Sequence, residues 1–502
     1  MPSLSLETIL AQCLNSRPLT ESSKTYCDHI TLDSRKVTPT SVFVALRGER
    51  LDARKFIPTT MAPIVIVDQW DDDWTQQLSD WKGTIVQVPN ARQCMADLAA
   101  FLEDHPAKRM NMVGITGTNG KTTTTWMLSH IVQTLSKGAD KVIQGNVGTI
   151  GTIGPTINGT PLPQNDGFTT PEAPGLQRTL RKMVEAGCGT CIMEVSSIGL
   201  MMHRVGSITF DVTAFTNFTQ DHLDIHRSME QYLAEKRKLF TDHVHANSTS
   251  ILVVEQSEIA QTPVRTGHTT RISTLDDPSC DLWVSNRHFS LEGTHFTLHT
   301  SSTKQNVYLP LIGDHNIENA LVAISIAVAL GGEITQTIEA LHTLPQAPGR
   351  LERLSSQNGW HAFVDYAHTP DALLQSLQSL KTLCTGRLWV LFGCGGDRDK
   401  NKRPQMGSIA ADIADCVVVT SDNPRSESPE AIIADILTGI SPKSLKSITQ
   451  IVDRREAIAW TCSNLKANDV LLVAGKGHET YQIIQGVKHH FDDREEIARY
   501  LS

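Results

Sequence analysis

The run Gly117-Thr118-Asn119-Gly120-Lys121-Thr122-Thr123 carries the residue types that hold the phosphates of a nucleotide. Glycines let the backbone turn and aim its N–H groups at oxyanions. A lysine reaches the terminal phosphates, and a threonine hydroxyl can hold Mg²⁺. The general G-x-x-x-x-G-K-[ST] pattern is not met, because Ile115 stands where the first glycine belongs and Gly114 comes one residue early. Context supports the reading against a chance glycine turn. An apolar strand, Met112–Ile115, precedes the loop. A helix follows, with Met127, Leu128, Ile131, Val132 and Leu135 on one stripe and Gly138 as its stop.

Other candidates are weaker one by one. Glu194 leaves the end of an apolar strand, where a carboxylate can ligate Mg²⁺ opposite Thr122 or simply accept a structural hydrogen bond. Asp221-His222-Leu223-Asp224-Ile225-His226 is dense in possible ligands, with a solvated loop as the plain alternative. Lys236 lies on a helix that Ser228 and Gln231 would open as a capping box, and Lys236-Arg237-Lys238 alone reads as a solvated basic patch. His315, Asn316 and Asn319 open the helix Ile317–Leu330, where asparagines read an adenine edge or cap the helix. Asp365 follows a short strand and could hold a ribose. Arg398, Lys400, Lys402 and Arg403 make a basic loop, and Arg425 sits in Asp422-Asn423-Pro424-Arg425; a solvated loop is the alternative for each. Arginine suits two-point binding of a carboxylate.

These residues need a scaffold. At ~150 residues per domain, 502 residues imply about three domains. The first, 1–106, holds the β-like runs Ser41–Leu46 and Pro63–Val67 and a helical stretch, Ala91–Glu103, and ends in a polar linker. The second, 107–346, alternates strands and helices: Thr170-Pro171-Glu172 reads as a helix start, and strand Thr190–Val195 follows. The third, 347–502, has apolar runs Leu388–Phe392, Cys416–Thr420 and Val470–Ala474, each passing into a polar or glycine-rich loop. The alternation predicts an α/β fold with a mostly parallel sheet. Ligands then bind beyond the carboxyl ends of strands, so the three loops of the last domain point to one shared site. Forty-five basic against 54 acidic residues, a net charge of −9, argue against nucleic acid or an anionic membrane as partner. The longest apolar run, Leu321–Leu330, is too short to span a bilayer, and no secretory signal is visible, so a cytoplasmic location is expected. Ten scattered cysteines do not look like a disulfide framework, and Cys188 and Cys191 read as a buried strand.

Taken in order, the motifs resemble the Mur ligase family, ATP-dependent amide-forming enzymes of peptidoglycan precursor synthesis. They are LDSR (Leu32–Arg35), GTNGKTT (Gly117–Thr123), TTPEA (Thr169–Ala173), MEVSS (Met193–Ser197), DHLD (Asp221–Asp224), YLAEKRKLF (Tyr232–Phe240), GDHNIENA (Gly313–Ala320), PGR (Pro348–Arg350), DYAHTPDAL (Asp365–Leu373), GCGGDRDKNKRP (Gly393–Pro404), DNPR (Asp422–Arg425) and GKGHE (Gly475–Glu479). The resemblance is strongest to the branch that adds the third amino acid, meso-diaminopimelate. It implies an N-terminal UDP-binding domain, a central ATPase with a P-loop-type sheet, and a Rossmann-like C-terminal domain. It implies ATP and Mg²⁺, with Lys236 carbamoylated by CO₂ and Thr122, Glu194, His222 and the carbamate as metal ligands. Lys121, Glu194, His222 and Lys236 form the implied catalytic set. Gly117 to Thr123, Asn319, Arg350 and Asp365 match ATP contacts. Leu32, Ser34, Glu49, Arg50, Leu51, Thr169, Thr170, Ser196, Met202 and Arg204 match positions for the UDP-muramoyl-dipeptide. Arg398, Asp422, Asn423, Pro424, Arg425, Gly475 and Glu479 match the amino-acid site. Ile198 stands where the family usually has histidine, and Met202 where a glutamine is common; Glu49-Arg50-Leu51 also departs.

The implied reaction is ligation through an acyl phosphate by a monomer acting on small molecules. Rival readings are a sister ligase adding L-Lys, a folylpolyglutamate-type synthetase, a nucleotide switch that ligates nothing, and a kinase.

Overall fold

The computed structural model describes every residue of the chain except 1–2, 14, 21–25, 49–50, 72–73, 75–77, 79–80, 138–142, 164–166 and 442–447. Glu49, Arg50 and the helix stop at Gly138 lie outside the described residues. The rest forms an α/β protein built on three main sheets. The first has five strands between Arg17 and Gln87, parallel except at the Arg17–Pro18 edge. Helix Ala91–Leu102 lies against it, buried through Met95, Leu98 and Ala99.

The central sheet has eleven strands. Strand Asn111–Thr116 sits in its middle, paired in parallel with Cys188–Glu194 on one side and Phe210–Phe215 on the other. All three are buried almost throughout, as expected of parallel strands covered by helices on both faces. Helix Lys121–Lys137 packs on helix Asp314–Ala329, and both feed the largest apolar core. An antiparallel ribbon of Leu282–Ser290, Gly293–Thr300 and Lys304–Leu309 closes one edge. The last sheet has six strands, with Val470–Ala474 between His361–Asp365 and Leu388–Phe392. The carboxyl ends of Leu388–Phe392, of its neighbour Cys416–Val419 and of Val470–Ala474 lead into 393–404, 420–427 and 475–479, the loops that sequence singled out.

Local expectations fail in a few places. Helix Ala173–Glu185 starts after Pro171, with Pro174 in its first turn, and Thr170 turns its hydroxyl to the Glu194 carbonyl instead of opening a helix. Cys13 and Cys94 form a disulfide across 81 residues, because the short helix Leu6–Gln12 packs on Ala91–Leu102 and brings their Cα atoms to 5.4 Å. The other eight cysteines are free, and Cys188 and Cys191 are buried on their strand as expected. Among the described residues no helix is long and apolar enough to cross a membrane.

Candidate functional site

The glycine-rich loop leaves strand Asn111–Thr116 and enters helix Lys121–Lys137 with no intervening residues beyond 117–120. Gly120 has φ +83°, and a Cβ there would lie 2.2 Å from the Asn319 Oδ1, so the turn requires glycine on both counts. The loop is braced from the chain that follows strand Phe210–Phe215. Thr118 N–H donates to the Asn217 carbonyl at 2.8 Å, and Asn119 N–H to the Asn217 Oδ1 at 2.8 Å. These two amides are therefore occupied by protein. The donors left for phosphate oxygens are those of the helix's first turn, which have no partner within the helix.

Lys121 Nζ donates to the carbonyls of Gly117 (2.7 Å) and Thr118 (2.9 Å). Lys236 Nζ donates to the same Gly117 carbonyl at 2.8 Å. Lys236 is 1% exposed, so it is no solvated patch; it lies 4.5 Å from the ring centre of Tyr232, whose hydroxyl pairs with Thr118 at 3.2 Å. Burial pushes the Lys236 ammonium well below its ordinary pKa, and the neighbouring Lys121 adds to the push. Burial lowers Lys121 too, opposed by Glu194 and Asp221. Two amines converging on one carbonyl in a buried place call for an anion between them.

Thr122 donates its hydroxyl to the Glu194 carboxylate at 2.9 Å and accepts from Arg350 Nη2 at 3.1 Å. Glu194 is 1% exposed and is also held by the Thr152 N–H and hydroxyl, each at 3.0 Å. Thr122 and Glu194 thus meet as sequence anticipated. Both are hard oxygen donors, the type that holds Mg²⁺ together with phosphate oxygens and water. His222 does not join them into a cluster. Its ring is partly exposed, 3.4 Å from the Asp221 carboxylate and edge-on to Tyr232 with ring centres 6.2 Å apart. Among the described residues no group of three or more His, Cys, Asp or Glu is gathered as for a metal. His226, from the same segment, is buried and pairs with the Ser197 hydroxyl at 2.9 Å.

Asn319 is buried on helix Asp314–Ala329 and accepts from the Thr124 hydroxyl at 3.2 Å, while Asn316 donates to the Ile312 carbonyl. Asp365 accepts from Ser376 at 2.6 Å, and the Arg350 guanidinium lies over the Tyr366 ring at 4.9 Å. His368 and His478 flank Tyr366, and partial burial together with the Arg350 guanidinium lowers the His478 pKa.

On the other side of Glu194, Thr170 pairs with Ser196 at 3.0 Å and Thr169 with Thr152 at 3.2 Å. Arg204 is nearly buried, bridged to Glu172 at 2.7 Å and stacked over Phe168 at 4.4 Å. Met202 caps the short helix Ser197–Met201. Leu32 packs on the first core, Ser34 opens the turn Ser34–Lys36, and Leu51 is exposed.

Asp422, Asn423 and Pro424 are buried where the Cys416–Val419 strand ends. Asn423 donates to the Glu479 carboxylate at 2.8 Å. Gly475 has φ +112°, and a Cβ there would lie 2.5 Å from the Asp422 Oδ2. Arg425 donates to the Gly396 carbonyl at 2.7 Å, and Arg398 is exposed on the facing loop. Burial raises Glu479, partly offset by Lys476 and Asn423. Sequence reasoning passed over Lys476, which is fully buried and joins Asn423 and Glu479, and Asn217, the brace of the glycine loop. It also passed over Asp371, which accepts from Asn119 at 2.8 Å. Lys476 and Asp371 stand inside the GKGHE and DYAHTPDAL motifs and Asn217 four residues before DHLD, and that position was the signal they carried.

Residues 115–327 match the Mur ligase middle domain, and residues 349–477 match the Mur ligase glutamate ligase domain. A UDP-N-acetylmuramoyl-L-alanyl-D-glutamate–2,6-diaminopimelate ligase of Gloeobacter violaceus is 38% identical over 100% of this chain and 99% of its own. A solved structure bearing the same enzyme name superimposes with a TM-score of 0.67 at 30% identity, covering 100% and 99% of the two chains. Folylpolyglutamate synthase of Mycobacterium tuberculosis shares the fold at a TM-score of 0.63, with 19% identity over 76% of this chain and 91% of that one.

Proposed function

The chain belongs to the Mur ligase family, and we propose that it works as the member that joins meso-diaminopimelate to the D-Glu γ-carboxylate of UDP-N-acetylmuramoyl-L-Ala-D-Glu. It is an ATP-dependent amide-forming ligase of peptidoglycan precursor synthesis with the three-domain α/β architecture of that family. The observation that carries the substrate assignment is 38% identity along the whole chain with a relative of that name.

The domains of this reading are 1–106 for UDP, 107–346 for ATP and 347–502 for the amino acid. A carboxylate is a poor acyl donor because oxide is a poor leaving group, so the γ-carboxylate is first phosphorylated by ATP. Lys121 neutralises charge on the phosphoryl group in transit, and the first turn of its helix binds the phosphate oxygens. Thr122 and Glu194 would hold Mg²⁺, which supplies further neutralisation when bound, with His222 and a carbamate on Lys236 as additional ligands of the same reading. Burial lowers the proton affinity of the Lys236 amine and so favours the neutral form that attacks CO₂; the new N–C bond releases a proton and leaves a carbamate anion on Lys236, beside Lys121. Asn319, Arg350 and Asp365 hold the nucleoside end. Leu32, Ser34, Leu51, Thr169, Thr170, Ser196, Met202 and Arg204 hold the UDP-muramoyl-dipeptide. The amine of diaminopimelate attacks the acyl carbon to form a tetrahedral centre, which loses a proton and collapses to the amide as phosphate leaves. Asp422, Asn423, Pro424, Gly475 and Glu479 form the wall of the amino-acid site, with Arg398 and Arg425 for its carboxylates. We further propose a cytoplasmic monomer with no macromolecular partner.

Phosphate release tests the reading. It should require both the UDP-muramoyl-dipeptide and an amino acid, with meso-diaminopimelate strongly preferred over L-Lys. Equal kcat/KM for the two would favour the L-Lys sister, and release without either would favour a nucleotide switch.

A further inference from the structure

Arg403 is fully buried, although it stands in a run with Arg398, Lys400 and Lys402. It opens helix Lys402–Ile413, and its guanidinium forks onto Glu427, at 2.9 Å to Oε1 and 3.0 Å to Oε2. It also bonds Asp435 at 2.8 Å and the Gly395 carbonyl at 3.2 Å. Glu427 lies two residues after Arg425. Its carboxylate turns back to the facing loop, where it accepts from the Asp397 N–H at 2.6 Å and pairs with Lys400 at 3.2 Å. Arg398 is thus flanked on both sides by residues tied to Glu427.

More bonds run between the same two loops. Asp397 accepts from the Ser426 hydroxyl at 2.7 Å and from its N–H at 3.2 Å. Gly396 N–H donates to the Asn423 carbonyl at 2.9 Å, and Arg425 donates to the Gly396 carbonyl. The loops lie so close that a Cβ on Gly396 would meet the Pro424 carbonyl at 1.9 Å. The arrangement over-determines where the Arg398 and Arg425 stems emerge. The fully buried Arg403 guanidinium, doubly bonded to the partly exposed Glu427 carboxylate, is the rigid member of the set.

We propose that Glu427, anchored by the buried Arg403, is a positioning residue for amino-acid selection, fixing the separation and direction of the Arg398 and Arg425 guanidinium groups. The ligand class this spacing serves is a diamino diacid with a carboxylate at each end. The inference rests on the assignment of Arg398 and Arg425 to the amino-acid site. A displacement of about 1 Å in a positioned group lowers efficiency on the order of a hundredfold, so loss of the tie should be read in the amino-acid KM.

The test measures KM for meso-diaminopimelate, ATP and the UDP-muramoyl-dipeptide in wild type, Glu427→Gln, Asp397→Gly, Arg398→Ala and Arg425→Ala. Glu427→Gln keeps the shape and removes the charge that Arg403 grips. Its amino-acid KM should rise roughly ten- to a hundredfold with the other two KM values unchanged. Asp397→Gly cuts the Ser426 bonds on an exposed residue and keeps the φ of +54°, so it tests the same tie between the two loops through a second set of bonds if the first variant folds poorly. Its amino-acid KM should rise in the same selective way. An unchanged amino-acid KM in a folded Glu427→Gln, or a rise in all three KM values together, would overturn the proposal. If Arg398→Ala and Arg425→Ala themselves leave the amino-acid KM unchanged, the site assignment fails instead.

Discussion

Glu194 can be displaced without touching its chemistry. Gly151 follows strand Asn146–Ile150, and a Cβ built on it would lie 2.1 Å from the Glu194 Oε1. Carbon and oxygen do not approach closer than about 3.0 Å, so in Gly151→Ala the carboxylate must retreat by roughly 1 Å. It has little room to do so, being 1% exposed and bonded to Thr122 and twice to Thr152. A misplacement of that size in a reacting constellation costs on the order of 10²-fold in rate, about 2.7 kcal/mol of barrier. The strained hydrogen bonds add a stability loss of roughly 1–3 kcal/mol. Steady-state phosphate release should therefore give a kcat about a hundredfold down in a protein still folded at the assay temperature. Gly187→Ala is the control. Its φ is +75° with nothing within 4 Å of a built Cβ, so it should lose about 1 kcal/mol of stability and keep its kcat. A folded Gly151→Ala with wild-type kcat would refute the placing of Glu194 at the reacting phosphate.

Lys236→Ala should be nearly inactive, and formate or acetate at high concentration should restore part of the phosphate release by filling the vacated anion site; no rescue would count against the carbamate. Arg425→Ala should lower kcat/KM for meso-diaminopimelate by about 2–3 kcal/mol, roughly thirty- to a hundred-and-fifty-fold, and leave the KM for ATP alone. Glu427 is held at about 2 by Arg403 first of all, against an ordinary 4.5. A depressed carboxyl contributes stability that is present above 4.5 and lost as pH falls through about 2. The Tm gap between wild type and Glu427→Gln should accordingly close across that window, and a gap that stays constant would contradict the pairing.

Sequence periodicity located most of the elements that carry the site. Helix Met229–Thr241 opens at Ser228, whose hydroxyl accepts from the Gln231 N–H as the capping pattern required. Strands Leu388–Phe392 and Val470–Ala474 match their apolar runs residue for residue. Burial of charge was not legible. Lys236 and Arg403 both stand among basic neighbours that read as solvated. Only the fold supplies their partners, the Gly117 carbonyl 119 residues away and Glu427 24 residues away. The same limit hid Cys13 and Cys94, whose pairing depends on two helices meeting. At Thr170-Pro171-Glu172 the local signal was outcompeted. The Thr170 hydroxyl bonds the Glu194 carbonyl and Ser196, long-range contacts that displace the helix start to Ala173.

The glycine loop itself is gripped from two directions in sequence. Asn217 holds it from the central sheet through the amides of Thr118 and Asn119. Asp371, on helix Pro370–Lys381 beside the last sheet, holds the Asn119 side chain at 2.8 Å, and Arg350 reaches the Thr122 hydroxyl at 3.1 Å. Two residues of the glycine loop and its helix are therefore bonded to residues that lead into the sheet carrying Arg425 and Glu479. On the proposed function, a nucleotide that shifts Asn119 or Thr122 would have to carry Asp371 and Arg350 with it or break these two bonds. Acyl phosphates hydrolyse in open water. A device that couples the grip on phosphate to the placement of the attacking amine protects the intermediate in the interval when it is exposed. On the proposed function, such coupling would pass through the Asp371 and Arg350 side chains.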